Sequence, residues 1–332
     1  MQSMPRRRAV AAFLLSAAFA LGALGAAALA PPAFAETPLT VGTAHATADA
    51  ELPATIGVEL GIFKKHGLDI KLADLGGDAR VIQGMTAGSI DIGVGGGSGM
   101  ALIVKGAPMI AVCEDSATQP YFAIAVPYDS PLKKLSDLKG KKIGITRENS
   151  TTDWLARQLA KSQGWPADGI TLVALGGEPS SAAAALRSHL VDADIGGTMD
   201  FAPMEEQKAV RVMASVSEYV GKVASGILYA SNHIVQTNPD AVRAYVAGWL
   251  ETTHYMATHK AETVKIEAAL THAAPEVVAK QYDIDEGMFT DDCAFDAESL
   301  EVLRQSFVDL KILPTAPDMS KLYTTEFLPK KK

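Results

Sequence analysis

Ile90-Asp91-Ile92-Gly93-Val94-Gly95-Gly96 returns about a hundred residues on as Val191-Asp192-Ala193-Asp194-Ile195-Gly196-Gly197, and a repeat on that scale constrains architecture more than any local propensity. The likeness extends upstream. In the first copy Leu39 to Gly42 reads as a strand, Glu51 to His66 as helical, and Leu68 to Leu75 as a strand ending in Gly76-Gly77. In the second copy Lys142 to Thr146, Thr151 to Gln163 and Ile170 to Leu175 follow in the same order, and Gly176-Gly177 closes the last of them. A further helical stretch, Ala182 to Leu190 in the second copy, precedes each closing strand. Short apolar strands alternating with longer amphipathic helices make each copy a β-α-β-α-β unit with a parallel sheet covered on both faces. The expected class is therefore α/β, with two lobes, each a mostly parallel sheet with helices on both faces, and a ligand cleft between them.

From about Ala224 the pattern turns helical. Asn238-Pro239 starts a helix whose apolar face is Val242, Tyr245, Val246, Trp249 and Leu250, and Leu300, Leu303, Phe307 and Leu310 form a second face. Packed on the first lobe, these helices make it discontinuous: residues 36–123 and 224–332 form lobe 1, and residues 124–223 form lobe 2. The chain then crosses between lobes twice, near Gln119 to Ala125 and near Ser217 to Leu228, and two crossings make a hinge.

The first 35 residues read as an address. Arg6, Arg7 and Arg8 precede an uncharged run from Ala9 to Ala30, then Pro31-Pro32 and Ala33-Phe34-Ala35. That order is the order of a secretory signal peptide, cut after Ala35, and it places the protein in the periplasm. Export by the general or the twin-arginine route is left open. The whole chain carries 30 basic and 38 acidic side chains; without its three N-terminal arginines 27 face 38, a net charge of −11. An acidic surface argues against nucleic acid as a partner. Nothing after Glu36 is apolar enough to span a bilayer, and a monomer is expected. The two cysteines, Cys113 and Cys293, cannot build a disulfide scaffold or a four-thiolate zinc site, and whether they pair is left open.

A catalytic constellation does not emerge. Gly96-Gly97-Ser98-Gly99-Met100 has methionine where a nucleophile elbow needs glycine. His254 and His259 are five apart on a helix and face different ways, so they make no chelate. The Asp291-Asp292 and Lys330 to Lys332 runs read as solvated ends. Asp91 and Asp192, at the start of the two glycine-ended strands, suit a structural hydrogen bond at least as well as a ligand. No catalytic residue, cofactor or metal is expected.

The candidates for ligand contact are instead polar residues and glycines at the strand C-termini, where open parallel sheets bind ligands. In the first lobe they are Thr43, His45, Gly77, Asp78, Gly97 and Ser98; in the second, Thr146, Asn149, Ser150, Glu178, Thr198 and Asp200. Glycine there lets backbone approach a ligand and leaves amides free at helix starts. Each polar residue is equally suited to capping its helix. Tyr121 and Phe201 are placed either to stack on a ring or to fill the core, and Trp154 reads as core. Arg80 and Arg147 are the nearby cations, while Asp78, Glu178 and Asp200 oppose a strongly anionic ligand. The expected ligand is a small organic molecule with a polar neutral or nitrogen-containing part, such as a pyrimidine-like ring.

Four segments carry a resemblance: Gly61-Ile62-Phe63-Lys64-Lys65-His66-Gly67-Leu68, Ala87-Gly88-Ser89-Ile90-Asp91-Ile92-Gly93, Asp137-Leu138-Lys139-Gly140-Lys141-Lys142-Ile143-Gly144, and Leu322-Tyr323 to Phe327-Leu328-Pro329. In that order and spacing the chain resembles the solute-binding proteins of ATP-binding-cassette importers. It is similar to the nitrate/sulfonate/taurine and thiamine-pyrimidine-precursor-like family of the type II periplasmic-binding fold. The resemblance implies a small-molecule ligand, delivered to a permease that works with an ATPase. Three rivals remain: a sensing module for a receptor or kinase, a secreted hydrolase, and an enzyme of pyrimidine-precursor synthesis. The fungal synthases of the last kind carry a Cys-rich tract that this chain lacks.

Overall fold

The computed structural model describes residues 36–330, apart from 45, 47–49, 118–121, 149, 167 and 177–178; the expected signal peptide lies outside the described residues. Ten strands run through them: β1 (Thr37–Thr43), β2 (Leu68–Asp74), β3 (Ile92–Gly96), β4 (Met109–Ser116), β5 (Phe122–Pro127), β6 (Lys142–Ile145), β7 (Thr171–Ala174), β8 (Ala193–Gly197), β9 (Val210–Ser215) and β10 (Gly226–Ser231). They form two five-stranded sheets, ordered β2-β1-β3-β10-β4 and β7-β6-β8-β5-β9. In each, three strands of one repeat run parallel, and the fourth position is taken by a strand antiparallel to both neighbours. That fourth strand is the first one laid down after the chain leaves the other sheet: β5 follows β4, and β10 follows β9. The mixed α/β class read from the repeat is the class observed.

The repeat is held by the same device twice. Asp91 Oδ2 accepts a hydrogen bond from the Thr40 amide at 2.8 Å, and Asp192 Oδ2 accepts one from the Lys142 amide at 2.9 Å. In return the Asp91 amide donates to Thr40 O, and the Asp192 amide to Lys142 O. Each aspartate therefore pins the start of its strand to the neighbouring central strand and satisfies an amide lying just before the ladder. Replacing Asp91 by alanine is expected to cost about 1–2 kcal/mol, because a charge-assisted bond is lost and a partly buried amide is orphaned; the exposed Asp192 bond should cost less when lost, and urea denaturation of the two variants checks it.

Two local expectations are revised. The stretch from Glu51 to His66 is two helices, Leu52–Glu59 and Ile62–Lys65, broken where Gly61 takes a left-handed φ of 65°. The segment after Ala224 is first a strand: Gly226-Ile227-Leu228-Tyr229-Ala230-Ser231 is buried at every position and completes the first sheet as β10. Only then does the long helix Pro239–Thr258 begin, capped by Asn238 Oδ1 accepting from the Ala241 amide. Its Val242, Tyr245, Val246 and Trp249 pack on Leu39, Val41, Ile92 and Leu228 of the first sheet, and Tyr245 stacks on Phe63 with centroids 5.0 Å apart. Cys113 of β4 and Cys293 are fully buried in this same core and joined as a disulfide. Among the described residues no helix is long and apolar enough to cross a membrane.

Candidate functional site at the strand ends

The C-terminal ends of the parallel strands put the candidate residues on one edge of each sheet. In the first sheet, Gly77 precedes helix Asp78–Thr86 with φ 140°, and nothing lies within 4 Å of where its side chain would begin. Asp78 is that helix's first residue. Thr43, the last residue of β1, is fully buried, and its hydroxyl has no hydrogen-bond partner among the described residues. Ser98 is exposed on the turn Gly97–Gly99. Gly97 is a glycine for another reason than a ligand: its amide donates to Ser225 O, and a Cβ there would lie 2.0 Å from Ala224 O. Two stretches of main chain meet at this point, so the amide is already engaged.

In the second sheet the hydroxyls divide between helix capping and the cleft edge. Ser150 caps helix Thr151–Ser162, accepting from the Asp153 amide and donating to Arg147 O at 2.7 Å. Thr146 donates to Ser150 Oγ at 2.9 Å, and its amide donates to Thr152 Oγ1. Thr198 donates to Gln281 Oε1 of helix Pro275–Asp285 at 3.3 Å. Asp200 stands exposed in the first turn of helix Thr198–Glu206 and accepts from the Gly197 amide. Phe201 and Trp154 are core. His45, Asn149, Glu178 and Tyr121 lie outside the described residues.

Two of the twelve candidates, Thr146 and Asp200, line one small cavity together with Ile145, Gly176, Asp194 and Gly196. Asp194 is the residue that sequence reasoning passed over. It is only 5% exposed, sits in β8 opposite Gly144 of β6, and its carboxylate makes no hydrogen bond or ion pair among the described residues. Burial, and then the nearby Asp200 charge, push its carboxyl up to about 6; burial raises Asp200 as well. The repeat holds the signal that could have found it: the position equivalent to Asp194 in the first copy is Gly93, and an acid in a buried apolar strand needs a reason.

The described ends of the two connections between the sheets meet near this edge. The Ser225 amide and hydroxyl both donate to Ser116 O, and the Val223 amide donates to Ala117 O. Beside them Glu114 accepts from the Asp296 amide at 2.9 Å and from the Ser299 hydroxyl. Burial raises its carboxyl to about 7 against the opposing pull of those bonds.

A family model described as NMT1/THI5 like matches residues 52–263. The chain belongs to that family. Among curated relatives, a protein of Brucella abortus (strain 2308) named as a binding protein is 27% identical over 219 residues, which cover 64% of this chain. A Brucella suis biovar 1 (strain 1330) protein with the same description matches equally. The chain spans 65% of the length of these relatives. Among solved structures, the periplasmic aliphatic sulphonate binding protein SsuA from Escherichia coli superposes with a TM-score of 0.72 at 19% identity, covering 86% of this chain and 92% of its own. The alkanesulfonate-binding protein SsuA from Xanthomonas axonopodis pv. citri, bound to MOPS, gives 0.68 at 19%, covering 87% and 98%. The desulfurization enzyme DSZB shares the fold too, at 0.61 and 14% identity over 88% of this chain and 97% of its own. The fold of this NMT1/THI5-like chain is thus the periplasmic-binding-protein fold, and chemistry must be argued from its own strand ends.

Proposed function

We propose that the protein is an extracytoplasmic solute receptor. Residues 36–121 with 224–332 form one lobe and 122–223, from the start of β5, the other; a small organic molecule is captured between them and handed to an ATP-binding-cassette import permease. Export with a signal peptide cut after Ala35 puts this event in the periplasm. The observation that carries the reading is the pair of like sheets between which the chain passes twice, the described parts of the two passages, Ser116-Ala117 and Val223 to Ser225, being hydrogen-bonded to each other. Two crossings of this kind form a hinge, and strand-end loops on both sides of it can close on a ligand. The Thr198 to Gln281 hydrogen bond supports the same motion, because it links a strand end of the second sheet to a helix of the C-terminal segment. Closure requires contacts made to both lobes at once, since a ligand held equally by open and closed forms shifts nothing.

The test is a thermal-shift screen of the purified protein against sulfonates, nitrate, aromatic carboxylates, amines and pyrimidines. A true solute at a hundred times its dissociation constant adds about 2.7 kcal/mol to the folded state and is recovered unchanged. Conversion of the stabilising compound during incubation would sink the receptor reading in favour of the enzyme that DSZB's shared fold leaves as the second reading.

A further inference from the structure

We infer that the solute carries a protonated nitrogen, of the ammonium or amidinium class, held by Asp194 and Asp200 at the strand ends of the second sheet. The inference rests on the receptor reading and names the chemistry of its cleft. Asp194 forms part of the cavity wall from a buried position, and the fold clears room for its carboxylate. A Cβ on Gly144 would lie 2.3 Å from Asp194 Oδ1, and one on Gly196 would lie 3.4 Å from Oδ2. Asp200 supplies a second negative charge on the same cavity from the helix that follows β8. No lysine, arginine or histidine pairs with either acid among the described residues.

Two like charges around a poorly hydrated space without a counter-ion are unfavourable by themselves, and a bound cation removes both the repulsion and the desolvation cost. The remaining wall is apolar, from Leu175, Ile195, Phe201 and Met204. That suits an organic cation with a hydrocarbon body. A bare divalent ion would demand six or more oxygens, and among the described residues no group of three or more acids, histidines or cysteines is placed to hold a metal.

The first sheet also buries an acid, whose carboxyl burial holds well above the usual carboxylate range. Asp115, near the end of β4, is 1% exposed, and neither of its carboxylate oxygens has a hydrogen-bond partner among the described residues. Gly226 opposite leaves room for it, since a Cβ there would lie 2.0 Å from Asp115 Oδ1. Asp194 and Asp200 on one cavity oppose a sulfonate, the ligand named for the SsuA neighbours.

The experiment is calorimetric and thermal-shift titration of the purified protein at neutral pH. The probes are ethylammonium, agmatine and benzamidinium, with ethanesulfonate, propanol and calcium ion as controls. At least one organic cation is expected to raise the unfolding midpoint and to be recovered intact. Asp194→Asn should weaken its binding about tenfold or more, and Asp200→Asn, on the exposed rim, should weaken it in the same direction. The charge assignment is overturned if ethanesulfonate, propanol or calcium stabilises the protein and the cations do not, or if no cation produces a shift. In the first of those cases the receptor reading stands; chemical conversion of a probe would remove the receptor reading itself.

Discussion

Cys113→Ala combined with Cys293→Ala is expected to destabilise the protein by about 3–5 kcal/mol. The bridge spans 180 positions of sequence. Within that loop lies the whole second sheet, from Phe122 to Ser215. The first sheet, by contrast, is assembled from two distant pieces of chain, β1 to β4 and then β10. The disulfide is the covalent tie between the piece that ends in β4 and the piece that carries the C-terminal helices. Without it the unfolded chain gains the freedom of a very long open loop, which the chain-entropy model values at roughly 5 kcal/mol for this separation. The two alanines also leave a small void, because both cysteines are fully buried beside Val112, Leu228 and Trp249. For a domain of this size the loss corresponds to a drop of roughly 2–4 °C in unfolding midpoint per kcal/mol. Calorimetry with and without reductant checks it: reductant should bring the wild type down to the double variant and leave the variant itself unmoved. A double variant that melts with the oxidised wild type would mean that packing alone joins the two pieces.

The sequence revealed more of the fold than of the site, for a physical reason. Strand ends with paired glycines, repeated a hundred residues on, reveal the three parallel strands of each sheet, but not β4, β5 and β9, which the repeat does not mark. The segment Gly226 to Ser231 could not be placed, because a six-residue apolar run reads equally as buried strand or buried helix until its neighbours are known; here β3 and β4 flank it and decide. The site depends on contacts between residues far apart. Ser150 looks like a ligand group in sequence and caps a helix in the structure. Gly97 looks like a glycine that lets a ligand approach the backbone and meets the Ala224 carbonyl instead. Asp192 lies just before β8 and Asp194 within it, and the first closes a backbone clamp while the second lines a cavity. Only the comparison of Asp194 with Gly93 across the repeat hints at that difference, and it becomes compelling once Gly144 is seen to make room for the carboxylate.

Asp194→Asn is expected to stabilise the ligand-free protein by about 2–3 kcal/mol above pH 6 while it weakens solute binding. Its carboxyl titrates at about 6 in the folded chain against an ordinary 3.8. Below the ordinary value both folded and unfolded chains hold the proton, and the residue carries no penalty. As pH rises from 3.8 to about 6 the unfolded chain ionises first, the folded chain binds more protons, and stability falls. Above about 6 the folded chain holds an ionised, desolvated carboxylate beside Asp200, and the penalty is complete; roughly two pKa steps correspond to about 3 kcal/mol. Asparagine keeps the shape and discards the charge. The stability difference between variant and wild type should therefore grow from near zero in acid to its full value above pH 6, read from urea denaturation across that range. Glu114, held near 7 by burial, keeps its own pH-dependent loss in both proteins, so the variant flattens the profile without abolishing it. A difference that is constant with pH, or a variant less stable than the wild type at neutral pH, would show that Asp194 is compensated inside the folded chain. A gain in stability together with a loss of affinity is the pattern of a charge kept for its ligand at the expense of the empty protein.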